Sequence, residues 1–324
     1  MPLDDDLMEV ADEVAAALAA HRPVVALEST LISHGLPYPR NLEVASASEA
    51  AVRAAGAVPA TVAIAGGKLR VGVDEATLVA LATSPSGTVQ KAARPTLAAA
   101  VAAGGLAATT VSATMIAAQA AGIGVFATGG IGGVHRDAVG SRRATLDISS
   151  DLEELARTPL AVVCAGPKPI LDVRQTLEYL ETRGVPVIAI GTHELPGFYA
   201  RGSGIPAPLS VPDLVAAAGL VRAHRALGLG SGVVLCTPVP ADAALSDDIA
   251  RDAVERAVRE AADVGIAGPA LTPWLLARIA ELTDGASVAA NVALVEHNAR
   301  VAGELAVALG PWETQQRSTF ISHA

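Results

Sequence analysis

The sequence is poor in aromatic residues, which make up 2% of its 324 residues although hydrophobic residues reach 51%. A core with so few rings must be filled by Ala, Val, Leu and Ile, which allow helices to pack closely against a sheet. Few rings to stack on bases, together with a net charge of −10, argue against a nucleic acid partner. The composition favours a globular α/β protein and leaves open a small anionic ligand held by a few local cations.

Cysteine is also scarce, and Cys164 and Cys236 end apolar runs instead of forming ligand-spaced pairs. We interpret both as reduced core residues. The first residues are acidic where a secretory signal would be basic, so we expect a cytoplasmic protein. Positions 95–134 carry no charge, but Gly, Ser and Thr interrupt them. We interpret this stretch as buried interior and expect no membrane partner.

Short apolar runs alternate with amphipathic segments along most of the chain. This alternation predicts an α/β fold with a mostly parallel central sheet and helices on both faces. We expect a single catalytic domain, 1–324, with an N-terminal helix in about 1–22, a C-terminal helical layer in 246–309 and an irregular loop at 192–212. The predicted strands are 23–28, 60–65, 124–129, 160–166, 185–190 and 232–237, and the predicted helices are 41–55, 74–83, 95–103, 112–121, 151–157 and 169–183.

Lys168 stands between two prolines at the end of the apolar run 161–165. Pro169 favours an extended backbone at Lys168 and suits the first position of the helix predicted there. The positive end of that helix, added to partial burial, would lower the pKa of Lys168, as a Schiff-base lysine requires. A solvated lysine in a strand-to-helix turn is the alternative.

Glu28 ends another apolar run, shortly before the motif Ser33-His34-Gly35. Partial burial would raise the pKa of the carboxyl group and suit it to donate a proton near neutrality. A glutamate that accepts hydrogen bonds from nearby backbone amides fits the same position equally well. We interpret His34 as a hydrogen-bonded structural histidine.

Thr128 begins a glycine-rich loop that continues through Gly133 to His135 and Arg136. Because glycine has no side chain, the backbone amides of such a loop can approach an anion or a sugar closely. The loop has neither the Rossmann nor the Walker spacing. A series of tight turns is therefore the alternative to a ligand-binding loop.

Two carboxylates and two hydroxyls lie close together in the segment 147–151. Such oxygen ligands suit Mg²⁺ or Mn²⁺ with retained waters. Asp151, with Glu154 three residues later, also fits a capping pair at a helix start, so both interpretations stay open. Asp147 is the better metal candidate, because that cap does not explain it.

Two features are suited to a phosphate. Lys91 follows a possible strand and offers a point charge, although an exposed surface lysine is the usual alternative. The hydroxyls of 109–112 stand at a predicted helix start, where backbone amides and the helix dipole also favour an anion.

Several long motifs together resemble the pseudouridine-5′-phosphate glycosidases, a family related to indigoidine synthase A. The resemblance extends from about Pro23 to Ala302 and is strongest in VVALESTLISHGLPYPRN, GVFATGGIGGVHR, DISSDLEEL and VVCAGPKPILD. It implies an α/β homotrimer with one Mn²⁺ per subunit, held partly through waters. It also implies an enzyme that interconverts pseudouridine 5′-phosphate plus water with ribose 5-phosphate plus uracil.

The resemblance further implies roles for individual residues. Lys168 would be the nucleophile, Glu28 the proton donor and Asp147 the metal ligand. The implied substrate contacts are Lys91, Val111, Thr128, His135, Ser149, Asp151 and Asn291. Thr110, among the hydroxyls of 109–112, is a further candidate for substrate binding.

The sequence departs from the family pattern at two places. Prolines flank Lys168 where the family commonly has a small residue and a serine, which could alter how the lysine is presented. The segment 137–146 is longer and more basic, and its Arg142 and Arg143 could shift metal or substrate affinity.

Pseudouridine carries a carbon–carbon glycosidic bond, for which the carboxylate pair of ordinary glycosidases is insufficient. A covalent lysine intermediate meets that demand. Two other functions stay open: a Schiff-base aldolase or lyase acting on a sugar phosphate, and a non-catalytic nucleotide-binding protein in which Lys168 pairs with a phosphate.

Overall fold

The apolar runs of the sequence form the centre of one sheet. The computed structural model describes residues 4–85, 87–136, 138–139, 144–266 and 271–311. Its strands are β1 Met8–Val10, β2 Val24–Leu27, β3 Val58–Ala65, β4 Lys68–Val71, β5 Gln90–Ala92, β6 Ala107–Thr109, β7 Val125–Ala127, β8 Ala161–Cys164, β9 Val187–Ile190, β10 Leu209–Val211 and β11 Val233–Cys236.

The main path of the sheet has the order β1-β4-β3-β2-β7-β8-β11-β9-β10, and β6 pairs with both β3 and β5. Each strand in the series β3-β2-β7-β8-β11-β9-β10 is parallel to its neighbours in that series. Strands β4 and β6 run antiparallel to β3. Leu27 lies beside Ala127, and Ala127 lies beside Val163. The carboxyl ends of β2, β7 and β8 therefore meet at one edge, and the predicted mostly parallel sheet is confirmed.

Helices cover both faces of this sheet. Alternate residues of β2 belong to different cores: Val24 and Ala26 face one, while Val25 and Leu27 face the other. The helices are α1 Asp12–Ala19, α2 Thr30–His34, α3 Arg40–Ala54, α4 Glu75–Thr83, α5 Leu97–Ala103, α6 Val111–Ala121, α7 Ser150–Leu155, α8 Val173–Thr182, α9 Leu214–Ala226, α10 Asp247–Asp263, α11 Leu271–Leu282 and α12 Ala286–Leu309.

The three C-terminal helices divide into two groups. Helix α12 lies on the sheet, where its Ala302 and Leu305 share a core with β2, β7 and β8. Helices α10 and α11 instead form a separate core with Phe198 and Tyr199, from the segment predicted to be an irregular loop. The expected C-terminal helical layer therefore includes a helix that covers the sheet itself. That the chain forms a single domain stays a prediction.

Two expected elements differ in the structure. Where an N-terminal helix was expected in 1–22, β1 precedes α1 and pairs with β4. The helix expected from Pro169 begins at Val173, because the Asp172 side chain accepts a hydrogen bond from the Gln175 amide at 2.9 Å and caps it. Pro169 is therefore not its first residue, which corrects the prediction.

The two cysteines occupy the core, as predicted. Cys164 and Cys236 are free thiols and fully buried. They lie opposite each other in the register of the neighbouring strands β8 and β11. No helix within the described residues is long and apolar enough to cross a membrane.

Gly303 of α12 provides a test of the packing between α12 and α3. A Cβ at this position would lie 2.6 Å from the Ala55 Cβ and 3.2 Å from the Val52 carbonyl oxygen. We expect Gly303→Ala to lower the free energy of unfolding by roughly 1–3 kcal/mol, because the added methyl group is overpacked. Chemical denaturation of the purified variants measures this loss.

Gly219 of α9 is the matched control, since a Cβ there meets no atom within 4 Å. Gly219→Ala should raise the stability by roughly 0.5–1 kcal/mol through helix propensity alone. Equal effects of the two substitutions would contradict the described contact between α12 and α3.

Candidate active site

A cavity of about 340 Å³ lies at the carboxyl edge of β2, β7 and β8. Much of its wall is apolar, with Leu27, Ile170, Phe198 and Val295 among the lining residues. Five of the residues predicted as functional also line it, namely Glu28, Lys91, Thr128, Lys168 and Asn291. The cavity therefore combines an apolar wall with a small set of polar and charged groups, as ligand sites commonly do.

Glu28 directly follows β2 and is the acid of this cavity. Burial raises the pKa of its carboxyl group, while the charge of Lys168 and the hydrogen bond donated by the Thr128 hydroxyl act in the opposite direction. The pKa of Glu28 is therefore shifted upward, as the sequence predicted. A carboxyl group of this kind can hold a proton at a higher pH than an exposed glutamate.

Thr128 is held in place by Asn298, a fully buried residue of α12. The Asn298 amide nitrogen donates to the Thr128 carbonyl oxygen at 2.9 Å, and its side-chain oxygen accepts from the Thr237 hydroxyl at 2.6 Å. This connection fixes the strand end that carries the hydrogen-bond donor to Glu28. Sequence analysis missed Asn298, for which the only signal is an amide on an otherwise apolar face of a long helix.

Lys168 extends from the turn that follows β8. Its backbone amide donates to the Ile131 carbonyl oxygen at 3.1 Å, and its carbonyl accepts from the Leu171 amide at 3.1 Å. Because α8 starts at Val173, Lys168 does not adjoin a helix that begins at Pro169, and the helix start predicted there was wrong. The half-buried side chain instead shares the cavity with Glu28 and Lys91.

Lys91 belongs to β5, where it pairs with Ala108 of β6. Burial lowers the pKa of its amine, and the charge of Lys168 lowers it further, whereas Glu28 and Asp151 raise it. Two lysines therefore face one glutamate across the cavity. This excess of cationic groups suits an anionic ligand.

Asp151 connects two segments that are distant in sequence. Its carboxylate is buried and accepts hydrogen bonds from the Ser112 and Gly132 amides, both at 3.0 Å. Ser149, and not Asp151, is the N-cap of α7, since its hydroxyl accepts from the Asp151 amide at 3.2 Å. The capping interpretation of Asp151 was therefore wrong.

The Asp151 contact changes the prediction of an anion site at 109–112. The helix expected there is α6, but one of its first amides, that of Ser112, already binds the Asp151 carboxylate. An internal carboxylate thus occupies part of the positive helix end. Thr110, the N-cap of α6, places its hydroxyl 3.1 Å from that of Ser112, and Val111 is buried.

The glycine-rich loop owes its composition to close packing. A Cβ at Gly130 would lie 2.7 Å from the Phe198 ring and 2.8 Å from the Gly166 carbonyl oxygen, and one at Gly133 would lie 2.4 Å from the Thr176 hydroxyl. None of the glycines between 129 and 133 has a positive φ angle. These glycines therefore serve close packing and not a left-handed backbone conformation.

Asp147 lies apart from the cavity with its side chain 47% exposed. Its Oδ2 is 3.9 Å from His135 Nε2, and its carbonyl oxygen accepts from the His135 amide at 3.0 Å. Across the part of the chain that the structure describes, no three His, Cys, Asp or Glu side chains form a group that could hold a metal. Arg142 and Arg143 lie outside the described residues.

The sequence model of the indigoidine synthase A-like proteins matches residues 13–308, which is nearly the whole chain and includes every residue of the cavity. The chain belongs to this family. Relatives named pseudouridine-5′-phosphate glycosidase support the assignment. One, from Paracoccus denitrificans, is 53% identical over 94% of this chain and 98% of its own length. Another, from Methylobacterium nodulans, is 54% identical over 94% of this chain and 88% of its own.

Two crystal structures share the fold. The prealnumycin C-glycosynthase AlnA, solved in complex with ribulose 5-phosphate, superposes with a TM-score of 0.85 at 42% identity, covering 94% of this chain and 98% of its own. An indigoidine synthase A-like protein from Thermotoga maritima superposes with a TM-score of 0.82 at 32% identity, covering 94% and 96%.

The structure separates the predicted functional residues into two sets. Glu28, Lys91, Thr128, Lys168 and Asn291 line the cavity. The others lie at the start of α6, around the glycine-rich loop and at the start of α7, outside the described cavity lining; they are Thr110, Val111, His135, Asp147, Ser149 and Asp151. The Asp151 carboxylate connects this second set to the glycine-rich loop, whose first residues line the cavity, through the Ser112 and Gly132 amides.

Thr128→Val tests the environment of Glu28. The Thr128 hydroxyl favours the ionised carboxylate by donating a hydrogen bond to it, so its removal should raise the pKa of Glu28 further. Infrared titration of the protonated carboxyl band, assigned with a Glu28→Gln variant, measures the shift. Thr128→Ser keeps the hydroxyl and should titrate near the wild type, and an unchanged or lowered pKa in the valine variant would contradict the described hydrogen bond.

Proposed function

We propose that the chain is a pseudouridine-5′-phosphate glycosidase, which reversibly cleaves pseudouridine 5′-phosphate with water to uracil and D-ribose 5-phosphate. The main support is that a carboxyl group with a raised pKa and a half-buried lysine share one cavity. Relatives with that name are more than half identical over 94% of the chain.

The first step opens the ribose ring. Glu28 gives its proton to the ring oxygen as the bond between that oxygen and C1′ breaks. The Lys168 nitrogen forms a bond to C1′ and loses a proton, which returns to the Glu28 carboxylate. The raised pKa of Glu28 suits it to carry a proton in both directions.

The second step breaks the carbon–carbon bond between C1′ and uracil C5. Its electron pair, with a proton from Glu28, forms the C5–H bond of uracil, while the nitrogen lone pair of Lys168 forms a C=N bond to C1′. Water then adds to the imine and releases ribose 5-phosphate and the free lysine. The overall reaction consumes one water for each C1′–C5 bond that is cleaved, so its atoms balance.

Lys91 holds the phosphate in this proposal. Its cationic head shares the cavity with Lys168, so a phosphate bound to it would place the other end of the sugar near the nucleophile. Interactions with this non-reacting group help to align C1′ for attack. The Asn291 amide, which offers both a donor and an acceptor, lines the same cavity and can contact the base.

A divalent cation fits the chemistry of Asp147. One exposed carboxylate beside a histidine suits a Mn²⁺ or Mg²⁺ ion that keeps most of its waters. We propose that Asp147 holds one Mn²⁺ per subunit, and that the ion supplies bound waters for substrate oxygens. His135, Ser149 and Asp151 would contact the substrate from this side.

The predicted assembly and location form part of the same proposal. A homotrimer would have three times the 32.5 kDa mass of the chain, which light scattering after gel filtration measures. We expect the enzyme to act in the cytoplasm.

Borohydride trapping with ribose 5-phosphate tests the covalent step. The sequence contains three lysines, Lys68, Lys91 and Lys168, so peptide mass spectrometry resolves the modified residue. We expect the reduced adduct on the Lys168 peptide, because only that amine attacks C1′ in the proposed mechanism. Modification of Lys91 alone, or none at all, would contradict it and favour a simple nucleotide-binding protein.

Lys168→Ala should lower turnover on the order of 10⁴-fold or more while ligand binding remains measurable. Lys68→Ala, in which a lysine of β4 outside the cavity lining is changed, is the matched control and should keep wild-type turnover. Release of uracil from pseudouridine 5′-phosphate is the assay. Cleavage of a plain sugar phosphate without uracil release would instead indicate an aldolase or lyase.

Asp147→Asn should weaken Mn²⁺ binding by at least roughly tenfold, since a neutral amide replaces the carboxylate ligand. Electron paramagnetic resonance of free Mn²⁺ reports the binding directly, without turnover. Asp172→Asn, which changes the capping carboxylate of α8, is the control and should retain Mn²⁺ affinity. An unchanged affinity in Asp147→Asn would remove Asp147 as the ligand.

A further inference from the structure

Phe198 is the only Phe, Tyr or Trp among the described residues that line the cavity. It is buried, and its ring makes an edge-to-face contact with the Tyr199 ring, with the centroids 5.0 Å apart and the planes at 83°. Both rings belong to the core that α10 and α11 form. The wall of the cavity at Phe198 is therefore supported from behind by a packed core.

The backbone at Phe198 is strained. Its φ angle is 66°, a left-handed value that bulky residues rarely adopt. The Tyr199 amide donates a hydrogen bond to the Gly197 carbonyl oxygen at 2.9 Å, so Phe198 is the central residue of a γ-turn in its rare form with a positive φ angle. Such strain persists where the surrounding contacts fix the residue, and it is concentrated at functional sites. Because glycine adopts this φ angle without strain, a phenylalanine here indicates a use for the ring.

The glycine-rich loop brings the Phe198 ring close to Asn291. A Cβ at Gly130 would lie 2.7 Å from Cε2 of the Phe198 ring, so nothing larger than the glycine hydrogen fits between the loop and the ring. A Cβ at the preceding residue, Gly129, would lie 3.8 Å from Asn291 Oδ1. Phe198 and Asn291 therefore meet neighbouring residues of the same loop.

The next residue of the loop holds Lys168. The Ile131 carbonyl oxygen accepts a hydrogen bond from the Lys168 amide at 3.1 Å. In the proposed mechanism the Lys168 nitrogen bonds to C1′, which also carries the base, while Lys91 holds the phosphate. The base therefore lies at the end of the cavity where Lys168, Asn291 and Phe198 meet the loop, and we call this part the base end.

We propose that Phe198 is a specificity-determining residue, whose ring closes the base end of the cavity and restricts it to a base with a single ring. The inference rests on the proposed function for the identity of the base. The position of the ring at the cavity wall, its contact with Gly130 and the strained turn are independent of that function.

A buried ring acts on the ligand through the space that it fills. Replacing a buried phenylalanine with a small residue leaves a cavity, because the surrounding atoms relax only in part. At the base end this new space would be continuous with the existing cavity, whose wall the ring forms. A base with a second fused ring needs such space, and the Phe198 ring rejects it by steric overlap.

Two nucleotides with a carbon–carbon glycosidic bond provide the test. Pseudouridine 5′-phosphate carries a single-ring base, and formycin A 5′-phosphate carries a base of two fused rings. Calorimetric titrations use a Lys168→Met background, which keeps the length of the side chain but has no amine to cleave the ligand. We expect Phe198→Ala to bind formycin A 5′-phosphate at least roughly tenfold more tightly than the background protein does, and pseudouridine 5′-phosphate more weakly.

An unchanged affinity ratio, or an equal loss for both nucleotides, would overturn the proposal, because a purely structural ring would affect both alike. Phe198→Gly opens the same space without the strained φ angle. It should therefore show the same change in the ratio and melt at a higher temperature than Phe198→Ala. This second variant keeps the test decisive if the alanine variant folds poorly.

Leu31→Ala is the matched control for cavity size. Leu31 also lines the cavity, and it lies one turn before His34 on α2. The charge of Lys91 lowers the pKa of His34, which places this part of the wall toward the phosphate and away from the base. Leu31→Ala should leave the affinity ratio unchanged, and a gain in formycin A 5′-phosphate affinity equal to that of Phe198→Ala would contradict the proposal.

Ribose 5-phosphate, which has no base, is the control ligand. Phe198→Ala and Phe198→Gly should bind it as the background protein does, and a large loss would mean that the ring acts on the sugar, against the proposal. The two failures are distinguishable. A failure of Lys168 trapping refutes the covalent mechanism, whereas an unchanged ratio in a protein that binds pseudouridine 5′-phosphate refutes only the role of Phe198.

Discussion

The hydrogen bond from Thr128 to the Glu28 carboxylate depends on the parallel register of β2 and β7, in which Leu27 lies beside Ala127. A shift of one of these strands by one residue would turn its side chain to the opposite face of the sheet, away from the other. The same register places the end of β8, and with it Lys168, at the same edge. The candidate site is therefore a consequence of three neighbouring strands that end together, the usual place for ligands in open α/β sheets.

Burial shifts the pKa values of the ionisable groups at this edge. It raises the pKa of Glu28 and lowers those of Lys91 and His34, so each pKa is shifted toward the uncharged form. The raised pKa of Glu28 suits this carboxyl group to donate a proton in the cavity. The apolar wall formed by Leu27, Ile170 and Phe198 maintains that burial.

The central strands and the cavity acid were predictable because their apolar runs are long and Glu28 ends one of them. Strands β4 and β5 were not, since they are short and carry Lys68, Arg70, Gln90 and Lys91, which hide the strand pattern. The start of α8 was misplaced because Pro169 and Asp172 are both favourable at helix starts, and the side-chain cap at Asp172 prevailed. The role of Asn298 could not be found in the sequence, because it arises from contacts with residues distant along the chain.

The central claim is that the Lys168 amine becomes covalently joined to the anomeric carbon of a ribose phosphate beside a protonated Glu28. A crystal structure of the protein soaked with ribose 5-phosphate tests it most directly. The account predicts continuous density from Lys168 Nζ to C1, with Glu28 next to the former ring oxygen and the phosphate at Lys91. A sugar phosphate bound elsewhere, with Lys168 directed into solvent, would contradict it.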